Sequence, residues 1–413
     1  MKICYISSDA EINPYGLEGS SIHIRQFTDS LVDAGHDVVI LCPSLEAPPS
    51  APLKARIYHL EPSGLDAAAW RLLREEWLVQ VNHLERDLGS MLFSAYLQSA
   101  GSAILDYERP DFIYERYALF GWGGAELSRR YDIPLLLEVN APLCRQQEGY
   151  EKFTLTATAA GIEPEIFRRA DALIALSPWL RDWIVSLDVP RENVHVIPDA
   201  VNEKIFGAEI SGRTVRARYG LDDRPVIGHV GSFQWFHDIE GIFKAFHRVH
   251  QKDPESRLLL VGDGPKLDWL KGAADQSRLG HAVICTGPVP HELVPEHIAA
   301  MDVAVVPYRM TDDFFFSPLK LFECMAVGTP TVAAALGQIA EVIDDGETGW
   351  LYPAGNSDEL AERIWRIVRS PEMARKIGMT GRKKVLSQYT WQRVAEKVTD
   401  VAESILIARK FGR

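Results

Sequence analysis

At 413 residues the chain is long enough for two domains, and 46% apolar content without low-complexity segments marks a folded globular protein. A formal charge of −13 argues against nucleic acid as the main partner, because phosphate-backbone binding needs a dense Lys/Arg face and none is visible. No stretch approaches the roughly 20 apolar residues that span a bilayer, and five cysteines without paired spacing disfavour disulfides and a zinc site.

The chain opens Met1-Lys2-Ile3-Cys4-Tyr5-Ile6 and turns at Ser7-Ser8-Asp9, without the long apolar core or cleavage site of a secretory leader. This is the pattern of a buried first strand and implies a protein of the cytosol. The loop from Asn13 to Ser21 is expected to lead into a helix from about Ile22 to Ala34. Gly19 lets backbone approach a ligand, and Ser20 or Ser21 can cap the helix, which suits a phosphate or an ordinary capped turn equally. Further strands are expected at 37–42, 112–115, 135–139, 172–175 and 194–197. Between 70 and 105 lies a helical insertion in which Trp70, Leu73, Trp77, Val81 and Leu84 recur at helical spacing. Core packing is the default reading there, with a membrane-surface or acceptor-facing role as the alternative. Glu138-Val139-Asn140 brings a carboxylate and an amide to the rim of the sheet.

A polar, irregular stretch from Asp199 to Asp223 separates this series from a second one at 226–230, 257–261, 282–286, 303–307, 331–334 and 349–352. Short apolar runs alternating with helical patterns predict an α/β protein, and two such sets predict two Rossmann-like domains. A last amphipathic helix covers 390–410. Cys4, Cys42 and Cys285 fit as small buried hydrophobes, whereas Cys144 and Cys324 fall near segments of chemical interest.

In doubly wound sheets ligands sit beyond the carboxyl ends of the strands. There the second half supplies Gly231-Ser232-Phe233-Gln234-Trp235-Phe236-His237, a turn able to hold a diphosphate through backbone and imidazole contacts. A neutral structural His237 is the alternative. Gly262 opens a second tight turn, Gly262-Asp263-Gly264-Pro265. Further on, Ser317 suits an N-cap, Pro318 the first helical position, and Gly328 with Pro330 the end of that helix. Its first free N–H groups and positive dipole end suit a phosphate, and Lys320 adds a cation. Glu323 can accept two hydrogen bonds from a ribose diol, or form a surface pair with Lys320. No Asp-x-Asp pair and no His/Cys cluster at ligand spacing is present, so leaving-group stabilisation is expected from the helix end, Lys320 and His237 without a metal. Nucleophile-elbow and Walker motifs are also missing.

Taken in order, these segments resemble the retaining nucleotide-sugar glycosyltransferases of family 4. The resemblance runs through Gly19-Ser20-Ser21-Ile22-His23, Glu138-Val139-Asn140-Ala141-Pro142, Val196-Ile197-Pro198-Asp199-Ala200-Val201-Asn202, Gly231-Ser232-Phe233 and Val261-Gly262-Asp263-Gly264-Pro265. Its most specific part is Ser317-Pro318-Leu319-Lys320-Leu321-Phe322-Glu323 with Gly328-Thr329-Pro330. It implies the GT-B architecture, two Rossmann-like domains facing an interdomain cleft, with an acceptor domain at 1–205, a donor domain at 206–389 and a terminal helix, 390–413, returning to the first. It further implies that the donor diphosphate is held by the Pro318 helix N-terminus, the Gly231 turn and the Gly19 loop, and that Gly19, Ser20, Gly231, Ser232, Phe233, Gly262, Val289, Phe316, Ser317, Pro318, Leu319, Lys320 and Glu323 bind the donor. The ribose falls to Glu323 and the nucleobase to the turn around Val289.

The chain departs from the family pattern in three respects. Phe315 stands where a Glu is common, Ser232 and His237 where Arg and Lys are common, and Asn140 where a catalytic histidine is frequent. Asp312 and Asp313 are candidates for a displaced carboxylate. The resulting catalytic set is His237, Lys320, Glu323 and Asn140. The expected reaction moves a hexose-type sugar from a UDP- or GDP-sugar to a hydroxyl of a saccharide, lipid-linked or small-molecule acceptor, with retention and no metal cofactor. A peripheral contact with the inner face of the membrane fits such acceptors. The alternatives are a silent nucleotide-sugar-binding scaffold and a sugar-nucleotide epimerase.

Overall fold

The structure is a computed structural model, and it describes residues 1–9, 12–45, 53–61, 68, 84–145, 155–207, 209–311 and 313–411. The chain forms two compact units, Met1–Pro198 with Trp391–Arg413, and Asp199–Thr390. The first unit therefore ends at Pro198 rather than at 205, because Val201 and Phe206 pack into the core of the second.

In the first unit, strands β1 (Lys2–Ser7), β2 (Asp37–Cys42), β3 (Arg56–His59), β4 (Phe112–Arg116), β5 (Leu135–Val139), β6 (Ala172–Ala175) and β7 (Val194–Val196) make one parallel sheet ordered β3-β2-β1-β4-β5-β6-β7. In the second, β8 (Val226–Val230), β9 (Arg257–Val261), β10 (Val283–Cys285), β11 (Val303–Val306), β12 (Thr331–Ala334) and β13 (Trp350–Tyr352) are ordered β10-β9-β8-β11-β12-β13. Central strands such as β5 and β8 are buried along their whole length, as a sheet covered on both faces requires. In each sheet the order reverses beside the first strand, between β1 and β4 and between β8 and β11. Crevices for ligands open at such reversals.

β3 is an addition to the expected strands, and the helix expected from Ile22 starts earlier, at Gly19, and runs to Asp33. Its N-cap is Glu18, with no side-chain cap bond, so neither Ser20 nor Ser21 caps it. Of the expected insertion, Leu84–Glu108 is a helix that buries Phe93, Leu97 and Leu105. Trp70, Leu73, Trp77 and Val81 lie outside the described residues, as does the side chain of Leu84. The terminal helix, Trp391–Phe411, belongs to the first unit, where Trp391 sets its ring 4.9 Å from His23 and 6.4 Å from Phe27. Among the described residues the cysteines form no disulfide; Cys4, Cys42, Cys144 and Cys324 are buried and Cys285 is half-buried.

Candidate active site

The second unit gathers most of the expected residues at the β8/β11 reversal. β8 runs out into Gly231, whose φ of 136° lies in the region that favours glycine. Backbone packs on backbone here. A Cβ at Gly262 would lie 2.1 Å from the Gly231 carbonyl oxygen, and Phe233 N–H donates to the Asp263 carbonyl at 2.8 Å. The two glycine turns thereby lock each other. Gly231 N–H donates to Val261 O and Gly262 N–H to Gly287 O, so neither amide is spare for a phosphate. Phe233 is corrected as well: its side chain is fully buried in the core and its N–H is taken. Ser232 is exposed at the turn.

His237 ends this turn, and Asp238 follows as N-cap of the helix Ile239–Lys252, accepting from Gly241 N–H at 2.9 Å. The imidazole is buried and flanked by Phe236 at 4.5 Å, Tyr308 at 5.1 Å and His229 at 5.6 Å between ring centres. Its Nδ1–H donates to the Ser232 carbonyl, which leaves a lone pair on Nε2. That lone pair meets Lys320 Nζ at 2.5 Å. Burial pushes the imidazole pKa far below its ordinary value, and the neighbouring Lys320 charge and His229 add to the effect. His237 is therefore a neutral acceptor, and its expected role as the cation is corrected.

The cation is Lys320. It stands in the first turn of the helix Leu319–Val327, with Nζ 5.6 Å from the centre of the Tyr308 ring. Burial pushes its pKa down to about 7. Among the described residues it forms no ion pair, and the Lys320–Glu323 surface pair is replaced by a different contact. Glu323 is buried and its Oε1 lies 2.7 Å from His291 Nε2.

Ser317 does not cap this helix. Its hydroxyl accepts from Asp199 N–H at 2.9 Å, and Pro318, in extended conformation, is the N-cap without a side-chain bond. The first bond back to the cap is Leu321 N–H to Pro318 O, so the N–H groups of Leu319 and Lys320 precede it and remain directed out of the helix end. Gly328 closes the helix with φ 87°, as its position suggests. Phe316 is half-buried and packs against Phe236 at 4.8 Å and Phe315 at 4.2 Å. Phe315 is thus a packed aromatic at the position where a carboxylate is common. Val289 is half-buried in the turn after β10. Asp312 lies outside the described residues.

In the first unit a second constellation surrounds Glu138, a carboxylate inside an otherwise apolar buried strand. It accepts from Tyr114 Oη at 2.6 Å, Arg116 at 2.9 Å and Asn140 Nδ2 at 2.7 Å, and His23 Nε2 lies 2.9 Å away. Burial alone would raise its pKa, but His23, Arg116 and Tyr114 outweigh this and bring it down to about 2. Asn140 is held by its amide nitrogen, so its Oδ1 is left buried and unpartnered. An amide does not titrate near neutrality, so Asn140 can orient a hydroxyl but not move a proton. Gly19 is exposed and Ser20 half-buried at the N-terminus of the helix that also carries His23.

Sequence reasoning passed over His229, His291 and, among the partners of Glu138, Tyr114 and Arg116. A buried acid in an apolar strand is the one signal that points to the last of these.

Residues 18–200 match the family described as glycosyl transferase 4-like domain, and residues 213–384 match glycosyl transferases group 1. Across 98% of its length the chain is 24% identical to glycogen synthase of Mycobacterium tuberculosis, of which it covers 94%. It is also 24% identical to alpha-D-kanosaminyltransferase of Streptomyces kanamyceticus, over 68% of the chain and 72% of that protein. Among solved structures, sucrose-phosphate synthase from Thermosynechococcus elongatus superposes with a TM-score of 0.74 at 24% identity, covering 98% of this chain and 99% of that one. HepE of Anabaena, in complex with UDP and glucose, gives 0.73 at 17% identity over 98% and 100% of the two chains. With both sheets in Rossmann order, the chain belongs to the glycosyltransferases of family 4 and has their GT-B fold.

Proposed function

We propose that this glycosyltransferase moves a hexose-type sugar, with retention, from a nucleoside-diphosphate sugar to a hydroxyl of a saccharide, lipid-linked or small-molecule acceptor. The observation that carries the reading is Lys320, an amine at a helix N-terminus beside the Gly231 turn that forms no carboxylate pair among the described residues. A diphosphate supplies the missing negative charge, and the N–H groups of Leu319 and Lys320 add hydrogen bonds to it. Glu323, held at one oxygen by His291, keeps acceptor capacity for the ribose hydroxyls. UDP and GDP are the favoured nucleotides, since Anabaena HepE is described with UDP and glucose and a Mycolicibacterium smegmatis relative is named for GDP-mannose.

In the proposed reaction the bond from the anomeric carbon to the diphosphate oxygen breaks while Lys320 and the helix end stabilise the negative charge on the leaving group. The leaving oxygen takes the proton of the attacking hydroxyl, which adds to the same face. No metal enters this scheme. The cytoplasm is its proposed location, with acceptors at the inner membrane face included.

A thermal-shift panel of UDP, GDP, ADP and dTDP with their sugars tests the reading, because a ligand at 100 times its dissociation constant stabilises by about 2.7 kcal/mol. One nucleotide class should shift the transition, and its sugar should then be transferred or slowly hydrolysed. Absence of any shift overturns the donor assignment. Binding with neither transfer nor hydrolysis overturns the catalytic part and leaves a sugar-nucleotide-binding scaffold.

A further inference from the structure

His229, on β8, lies beside His237 with ring centres 5.6 Å apart and has no assigned role. Its ring is 1% exposed, its Nδ1–H donates to the Val305 carbonyl at 3.0 Å, and its Nε2 is buried without a partner. With Nδ1 carrying the proton, Nε2 presents a lone pair. It points at the Gly231 turn: a Cβ at 231 would lie 3.8 Å from His229 Nε2 and 2.7 Å from Lys320 Nζ. Two neutral imidazoles, each fixed as an acceptor by a backbone carbonyl, thus direct lone pairs toward the neighbourhood of one amine.

We infer that Lys320, His237 and His229 form a proton-accepting cage that takes one proton from solvent as a nucleoside diphosphate enters, so that the site gains its positive charge together with its ligand. This rests on the donor reading above.

Among the described residues the groups facing Lys320 are few. His229 and His237 approach from β8 and its turn, Tyr308 lies beyond β11, and Glu323 and Cys324 are on its own helix. Glu323 is engaged by His291 and the Cys324 thiol is kept protonated by burial, which raises its pKa. Among the described residues no carboxylate pairs with the amine, and burial opposes its charge. The entering diphosphate reverses this balance. Protonation is then favoured by the anion, and the ammonium is shared between phosphate oxygens and the imidazole lone pairs. The balance is one proton onto Nζ per ligand bound, with no covalent change.

The sign follows from linkage. The charged amine binds the anion better, so the benefit is complete below the free-state value, about 7, and is lost as pH rises toward the higher value of the complex. Phosphate ionises with a pKa near 6, so above about pH 8 its own titration is over.

The test is isothermal titration of the intact protein with whichever of UDP, GDP, ADP and dTDP binds, at about pH 8.5 in two buffers of unlike ionisation enthalpy. Uptake approaching one proton per nucleotide is expected, with Kd rising toward tenfold per pH unit above pH 8. Lys320→Arg, a permanent cation, should bind with uptake near zero. His229→Leu should move the midpoint of the Kd profile to lower pH, whereas a merely structural histidine leaves it in place. Binding without uptake in the wild type overturns the cage and leaves the donor assignment standing. Failure of all four nucleotides to bind overturns the donor assignment and the cage with it.

Discussion

Lys320 Nζ sits 2.5 Å from His237 Nε2, joining residues 83 apart in sequence into one unit in which lysine is the donor and histidine the acceptor. The consequence is opposite to what imidazole titration suggests. His237→Ala should lower turnover by roughly 10- to 1,000-fold by freeing Lys320 from its position, with a smaller effect on donor affinity. His237→Lys should fail to rescue, because it sets a second ammonium against the first. Single-turnover rates at saturating donor check this, and restoration by His237→Lys would show that a cation is needed at 237 after all.

Glu323→Gln should weaken nucleotide binding by about 1 to 3 kcal/mol while the protein stays folded, through loss of charge-assisted hydrogen bonds. His291→Ala should act in the same direction by releasing the carboxylate, since His291 is the partner that fixes Oε1. Calorimetry on both variants, with circular dichroism for the fold, decides the matter. Unchanged affinity in folded Glu323→Gln would remove this residue from the donor site.

Glu138 links stability to pH. Its pKa of about 2 lies below that of an unfolded glutamate, about 4.3. The stabilisation is therefore fully present above pH 4.3 and is lost as pH falls toward about 2. The depression corresponds to about 3 kcal/mol. Urea titrations across that range should show the loss in the wild type and a flatter profile in Glu138→Gln. Parallel profiles would mean that other carboxylates dominate acid unfolding.

Transfer activity should survive EDTA, because the proposed scheme places a helix end and Lys320 where a divalent cation would otherwise stand. Among the described residues no group of three or more His, Cys, Asp or Glu could hold a metal. Loss of activity on chelation, restored by magnesium or manganese, would overturn the scheme.

The sheets are legible in sequence because runs such as Leu135–Val139 and Val226–Val230 are short and apolar and alternate with helical periods. β3 is hidden because Arg56 and His59 bracket a four-residue strand at the sheet edge, where little burial is required. The Leu319 helix is marked by Pro318 and Gly328. Its cap is misread because Ser317 has the right chemistry but spends its hydroxyl on Asp199, 118 residues away. The same limit applies to the charge states. Nothing near His237 in sequence announces Lys320, and Glu323 finds His291 only through the fold. Glu138 is the exception, since an acid inside an apolar strand calls for partners whatever the topology.

The second unit begins and ends at one place. Val201 pairs with Thr390 in a parallel bridge, and Val201 N–H donates to the Tyr389 carbonyl at 3.0 Å, so the two ends of the 199–390 segment are tied side by side. Such a segment is an insertion that carries its own closure. Cut out of the gene and expressed by itself, it brings along the complete β8–β13 sheet, the Gly231 turn, Lys320 and Glu323, which makes it a natural minimal fragment for spectroscopy on nucleotide complexes.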